Sequence, residues 1–575
     1  MRKAITYLFF AATFTSFAQT QYDVNRYKES IFNTTPTAGT NIKYGAAPVW
    51  TVPYQNTDLK LNVYQPAGDI NAKRPLIIFA HAGGYLNGSK NVDDMIALCD
   101  SFARKGYVTA TIDYRKGFNP LDAESAERAV YRGIQDAKAS VRFFKEKATL
   151  YGIDTNNIFF GGMSAGAFSA LNVGYMDKES ERPQSTYGGG LVNNLQCLDC
   201  AGNTYPHSSK VKGILDYWGA VNDTTIIEAG DIPILIIHGE NDPTVPYEYG
   251  HPFGLPTLPN TYGGLPIYKR ATNLGMDVEF FTSTGPLHML DGSDNGTFPP
   301  SGPNSFWSDT LLPVTKNFLL RLIKPQPIKI SDDTIYVCGN GPAQFVVSNT
   351  ITSHYKWLYN ASQVQSASNN NSSILQLNYN GPGTYNVGVV EFNEILCASD
   401  TLNFVVIVHP TPSADFTYAI ANSYDVNFTN TNSNATSYDW NFGDGAQSTD
   451  PNPSHTYASN GTYNVSLVAG NQFGCLDTIV KTVTINQLGL AINTANAAIQ
   501  IYPNPVTDIL FISNTDMEKV SIQVMDINGR VIYNTNEFTN SSIIEIPTQT
   551  WNKGMYFVTV SSENGQQANM KLIRE

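Results

Sequence analysis

Charge is scarce in this chain. Only 15% of its 575 residues are Asp, Glu, Lys or Arg, and the net charge of −13 is spread thinly. No block of Lys and Arg of the kind that footprints phosphate occurs, which argues against nucleic acid as a partner. Cysteine is rare as well, with six in all. Beyond the N-terminus no apolar run approaches the ~20 residues that span a bilayer, so no transmembrane segment is expected in the mature chain. What is plentiful points elsewhere. A hydrophobic fraction of 42% excludes wholesale disorder, and the length is too great for one core and suits several domains. Low charge combined with many Asn, Ser, Thr and Tyr residues reads as extracellular, β-rich modules.

The first residues set the compartment. Arg2 and Lys3 precede an apolar run from Ala4 to Phe17, and Ser16-Phe17-Ala18 is a small-x-small cleavage pattern. Residues 1–18 are expected to be a secretory signal peptide, removed after Ala18. Export makes disulfides permissible.

Residues 19–325 alternate short apolar strands with helical stretches. Pro75–Ala80, Val108–Ile112, Asn157–Gly161, Val211–Tyr217, Ile232–Ile237 and Asp277–Thr282 read as strands. Helices are expected at Ser125–Lys147 and Trp307–Ile323. Buried strands alternating with helices predict an α/β fold, a doubly wound, mostly parallel sheet covered on both faces. After Lys324-Pro325-Gln326-Pro327 the texture changes to β-alternating runs broken by Asn, Gly and Ser turns, and three all-β sandwich domains are expected. Residues 326–408 carry Cys338, Trp357 and Cys397 in the order of an immunoglobulin-like sandwich, so a Cys338–Cys397 disulfide is expected. Residues 409–486 and 499–575 form the other two sandwiches, joined by a linker at 487–498.

Gly162-Met163-Ser164-Ala165-Gly166 follows a predicted strand and opens an Ala-rich helix, the strand-to-helix elbow that a nucleophilic serine requires. A serine hydroxyl needs a base, and the base needs an orienting acid. Asp242 lies just past the strand ending at Ile237, and His288 follows the strand ending at Thr282. The order Ser164, Asp242, His288 is that of an α/β-hydrolase triad. Glu240 shares the acid's loop and is a rival orienter, whereas Asp291 is too near His288 in sequence. His238 is assigned to loop support, and His207 and His251 lie in insertions without strand-end context. Backbone N–H groups for a developing oxyanion are expected from Ala165 and from His81-Ala82-Gly83-Gly84, with Gly83 and Gly84 preferred. Cys197-Leu198-Asp199-Cys200 lies in a Gly/Asn-rich insertion and is expected to close a local disulfide, free thiols being the alternative; zinc would need two further ligands. Cys99 reads as a small buried hydrophobe.

Three resemblances follow from these residues. His81-Ala82-Gly83-Gly84, Asp113-Tyr114-Arg115, Gly152-Ile153-Asp154, Gly162-Met163-Ser164-Ala165-Gly166 and His238-Gly239-Glu240-Asn241-Asp242-Pro243-Thr244-Val245-Pro246 together resemble the carboxylesterase and hormone-sensitive-lipase-like branch of α/β-hydrolases. Feruloyl and acetyl xylan esterases belong to that neighbourhood. Ala82 departs from the glycine common there, which implies a modest geometric effect. Tyr438-Asp439-Trp440-Asn441-Phe442-Gly443-Asp444-Gly445, with His455-Thr456-Tyr457 and Gly461-Thr462-Tyr463, resembles the PKD domain, in which Trp440 and Tyr463 would be core residues. Ile501-Tyr502-Pro503-Asn504-Pro505, an Asn528-Gly529 hairpin and the terminal Lys571-Leu572-Ile573-Arg574 resemble the type A C-terminal sorting domain of the Bacteroidetes type IX secretion system. The resemblances imply a serine esterase without metal or cofactor, acting on a small ester or a polysaccharide ester. They also imply partnership with the type IX secretion machinery and a secreted or cell-surface protein. A polyester or lipid esterase, a serine peptidase, and a glycan-binding surface protein are the alternatives.

Overall fold

Six apolar residues of the segment Arg74–Ala80, together with its arginine, are all buried, as a central parallel strand requires. The computed structural model describes residues 22–575 apart from 36–38, 189–192, 286, 349–353, 369–371, 423, 432–433, 487–498, 515–518, 536–541 and 564–566. The expected signal peptide and the linker at 487–498 lie outside the described residues.

The strands, in chain order, are β1 (Asn33–Thr35), β2 (Ile42–Pro48), β3 (Asn56–Ala67), β4 (Arg74–Ala80), β5 (Val108–Ile112) and β6 (Ile153–Met163). They continue with β7 (Gly213–Tyr217), β8 (Ile234–Gly239), the two-residue pair β9 (Tyr249–Gly250) and β10 (Thr261–Tyr262), and β11 (Val278–Ser283). A nine-stranded sheet runs β1-β3-β5-β4-β6-β7-β8-β11, with β2 also paired to β3. From β5 to β11 every pairing is parallel, while β1, β2 and β3 add an antiparallel edge. The helices are α1 (Asp93–Ala103), α2 (Ala123–Glu146), α3 (Ala148–Tyr151), α4 (Ala165–Tyr175), α5 (Gly264–Asn273) and α6 (Leu312–Ile323). Helix α2 starts where the Asp122 side chain accepts from Glu124 N–H, an N-cap worth roughly 1 kcal/mol. The closing helix expected from Trp307 begins as a π-turn over Trp307–Leu311 and becomes α6 only at Leu312. Pro313 lacks the N–H that would continue a regular ladder through this joint.

Two cores cover the sheet, one around Ile78, Ile134 and Leu171, the other around Phe79, Phe102 and Leu235. Each fully buried aliphatic side chain contributes roughly 1.5–3 kcal/mol. Compactness divides the chain after His409 into units of residues 1–409 and 410–575. The first unit therefore includes the sandwich expected at residues 326–408. Its four-stranded sheet holds Thr334–Cys338 and Gly383–Phe392, and a three-stranded sheet holds Ile374–Tyr379. Trp357 is buried between them, its Nε1–H donating to Ser372 O at 2.9 Å.

The expected Cys338–Cys397 disulfide is not formed. Cys397 is a free, buried thiol, and Cys338 is itself disulfide-bonded. The reason lies in the loop after Gly383–Phe392. It turns out of the sandwich, and Ile395 and Cys397 pack into the core of the α/β sheet beside Tyr27 and Tyr107. Tyr27 Oη–H and Asn71 Nδ2–H both donate to Ile395 O, at 2.7 and 3.1 Å, and Asn393 Nδ2–H donates to Ile323 O at 2.7 Å.

In the second unit, Phe416, Phe428 and Trp440 form the aromatic core of one sandwich. Gly443 and Gly445 turn its hairpin with φ of 84° and 98°. Tyr463, expected in the core, is half-buried and stacks on Tyr457 at 4.1 Å between centroids. The last sandwich pairs Val520–Asp526 with Val531–Asn534 across the expected Asn528-Gly529 turn, where Asp526 and Arg530 are hydrogen-bonded.

Candidate active site

Strand β6 ends at Met163 and helix α4 begins at Ala165, so Ser164 alone makes the turn between them. Its backbone takes φ 52° and ψ −117°, a left-handed value that costs a residue with a Cβ about 1–3 kcal/mol. Glycine neighbours make this turn possible. A Cβ on Gly162 would stand 2.3 Å from Gly166 C, and one on Gly166 would stand 2.0 Å from Ala80 O. Helix, strand and β4 thus approach closer than any side chain allows.

His288 bridges the two other groups. Its Nε2 lies 2.8 Å from Ser164 Oγ and its Nδ1 lies 2.7 Å from Asp242 Oδ2. The carboxylate is fixed in turn, because Oδ1 accepts from the N–H groups of Thr244 and Val245 at 2.7 and 3.0 Å. Burial works against its charged form, but hydrogen bonds from His238 and His288 outweigh that and hold the carboxyl well below the usual range. Asp242 is therefore an anion at any pH of interest. A hydroxyl, a base within reach of its proton and an anion that orients the base can together perform nucleophilic displacement.

The other expected residues sort themselves by position. Gly84, Ala165 and Ser164 line one apolar pocket of about 70 Å³, whose walls include Tyr85, Phe118 and Phe253. Ala165 is the first residue of α4, so its N–H has no partner within the helix and sits at the positive end of the helix dipole. Gly83 is not among the lining residues. It shapes the turn: its carbonyl accepts from Leu86 and Asn87 N–H, and a Cβ there would meet Asn87 O at 2.4 Å. Cys197 and Cys200 form the local disulfide.

Among the rivals, Glu240 is exposed, and the Asp291 carboxylate bonds Ser293 rather than His288. His207 pairs with Glu146, and His251 Nδ1 lies 2.7 Å from Leu258 O. His238 is closer to the chemistry than loop support implies, since its Nε2 lies 3.5 Å from Asp242 Oδ2. The pocket walls Tyr85, Phe118 and Phe253 carried no signal in sequence except that Tyr85 directly follows His81-Ala82-Gly83-Gly84.

Residues 61–226 match the BD-FAE family model, 407–486 the PKD domain and 500–575 the secretion system C-terminal sorting domain. The chain carries all three domains. The BD-FAE match takes in Ser164 and both glycines of the 81–84 turn but stops short of Asp242 and His288. Gut esterase 1 of Caenorhabditis briggsae is 36% identical over 116 residues, which are 20% of this chain and 20% of that protein. Phenmedipham hydrolase of Pseudarthrobacter oxydans is 30% identical over 139 residues, 23% of this chain and 27% of that protein. The chain thus spans about a quarter or less of the length of these curated relatives. Among solved structures, Thermogutta terrifontis esterase 2 phosphonylated by cyclosarin aligns with 20% identity and a TM-score of 0.36 over 50% of this chain and 96% of its own. The BD-FAE domain sits on an α/β-hydrolase sheet, and the sorting domain marks the chain for export to the cell surface or beyond. No helix among the described residues is long and apolar enough to cross a membrane.

Proposed function

We propose that the BD-FAE domain is a serine ester hydrolase that moves a short acyl group from an alcohol to water through an acyl-enzyme on Ser164. The observation that carries this reading is His288 spanning Ser164 and Asp242 at hydrogen-bond distance on both sides. As Ser164 Oγ attacks the ester carbonyl, its proton passes to His288 Nε2, and Asp242 holds the opposite Nδ1–H. The carbonyl oxygen becomes an oxyanion that receives N–H bonds from Gly84 and Ala165, each worth about 3 kcal/mol in the transition state. Collapse breaks the ester bond, and the His288 proton leaves with the alcohol. Water then repeats the sequence on the acyl-enzyme, releasing the acid and restoring the Ser164 hydroxyl.

Pocket size argues for a small acyl group. A dry cavity of about 150 Å³ accommodates benzene, whereas the space beside Ser164 is about 70 Å³. Acetyl and similarly short groups fit that room better than a feruloyl ring. Export, together with the attached PKD and immunoglobulin-like modules, favours acylated polysaccharides as the natural substrate. The sorting domain makes the type IX secretion machinery the transport partner.

Hydrolysis of p-nitrophenyl esters from acetyl to dodecanoyl, by the full chain and by Ser164→Ala, tests the reading. Activity is expected to peak at short chains and to fall by on the order of 10⁴-fold or more in the variant. A folded wild type inert to the whole series would sink it.

A further inference from the structure

A second cavity, of about 620 Å³, adjoins the Ser164 pocket. The two share Glu127, Val130 and Asn222 as a common wall. Helices α2 and α4 flank the second cavity through Ile134 and Asn172, and the shared wall sets it beside the Ser164 pocket. Its volume lies within the roughly 300–1,000 Å³ of small-molecule sites. The short acyl group fills the first pocket, and the rest of an ester needs a place of its own.

The lining differs in kind from the apolar pocket. Glu127, Glu181, Asp223 and Glu228 are acidic, and Lys178 is the one basic residue among the described lining. The Lys178 ammonium is already paired, with Glu228 at 2.5 Å and Glu181 at 3.6 Å. Glu127 has no cationic partner among the described residues; its Oε2 accepts from Ser185 Oγ–H at 2.8 Å. Asp223 accepts from Thr225 N–H at 2.8 Å and likewise has no cation. Carboxylates accept hydrogen bonds and donate none, while the Asn172 and Asn222 amides can do both. A chamber of this kind binds hydroxyl groups and repels an anion.

We propose that this chamber holds the alcohol half of the ester and selects an uncharged, hydroxyl-rich group such as a neutral sugar. Glu127, at the shared wall, is the specificity determinant that turns away carboxylated alcohols. The proposal rests on Ser164 being the nucleophile.

The test compares kcat/KM of the full chain for the acetate of a neutral methyl glycoside, of the corresponding uronic acid glycoside and of the corresponding aminosugar glycoside. Wild type is expected to prefer the neutral sugar over the uronate by about tenfold or more, the like-charge penalty appearing mainly in KM. Glu127→Gln keeps an oxygen for Ser185 and is expected to bring that ratio to within about threefold. Asp223→Asn, which keeps the Thr225 bond, should move it the same way. A variant that is merely misfolded lowers both rates and leaves the ratio standing. Equal rates on neutral and uronic substrates by wild type would overturn the proposal, as would a preference for the aminosugar or a ratio unmoved by both variants. Wild type inert to p-nitrophenyl acetate would instead remove the esterase reading beneath it.

Discussion

The Nε2 of His238 stands 3.5 Å from Oδ2 of Asp242, the oxygen that also faces His288 Nδ1. Gly264 N–H donates to His238 Nδ1 at 3.1 Å, so the ring's proton sits on Nε2, where Val245 O lies at 3.2 Å. The ring is wholly buried. Asp242 therefore has backbone donors on one oxygen and two imidazole N–H groups directed at the other, which leaves its carboxylate little freedom to rotate.

Removing that N–H should be felt at Ser164. His238→Leu is expected to lower kcat about 10- to 100-fold with KM little changed, because a small misplacement of the acid displaces the base. His238→Gln retains an N–H and should recover most of the loss. Steady-state kinetics on p-nitrophenyl acetate decide it: equal losses in both variants would reduce His238 to a packing residue.

The elbow has no room for a methyl group. Gly166→Ala would set a Cβ 2.0 Å from Ala80 O, a backbone atom that cannot swing aside. Overpacking of this kind costs about 1–3 kcal/mol or more and pushes α4 away from β4. The variant should show a lower melting temperature and a rate loss larger than its unfolded fraction explains. An unchanged melting temperature would mean that the helix start yields freely.

Much of this architecture was legible because local chemistry and global fold agree. The strand at Val108–Ile112, buried at every residue, coincides with the expected one. The glycines around Ser164 announce a close approach that the structure contains. What was not legible depends on contacts between distant segments. Nothing near Cys397 tells that its loop leaves the sandwich to bury Ile395 against Tyr27, 368 residues earlier in the chain. The Cys-Trp-Cys order was a pattern without a geometry. Likewise the acid-lined chamber draws on α2, α4 and the 222–228 segment, whose juxtaposition no periodicity encodes.

The free state of Cys397 has a chemical consequence. Burial pushes its thiol up to about 12 and removes it from solvent, and Cys99 is equally buried. A thiolate is the reactive form, so neither should react with a maleimide while the protein is folded. After denaturation without reductant, peptide mapping should find label on Cys99 and Cys397 and none on Cys338. Absence of label from both Cys338 and Cys397 would restore the pairing that the fold rejects.

Asp94 links stability to pH. It is wholly buried at the start of α1, where Oδ1 accepts from Met95 N–H at 2.6 Å and Oδ2 has no partner among the described residues. Burial, and after it the charge of Asp291, pushes its carboxyl up to about 8. In the unfolded chain it titrates near 3.9. Between roughly pH 4 and pH 8 the folded state thus holds a proton that the unfolded state has released, and stability falls as pH rises through that window. Asp216, pushed up to about 7 chiefly by burial, adds a loss of the same sign. For Asp94 the loss is at most about 6 kcal/mol, taking ~1.4 kcal/mol per pH unit. Asp94→Asn carries no titrating group and should flatten the curve. The urea midpoint for loss of esterase activity, taken at about pH 5 and about pH 8.5, measures it. Wild type is expected to lose more of its midpoint between the two than the variant does, and equal losses would mean that Asp94 ionises freely in the folded protein.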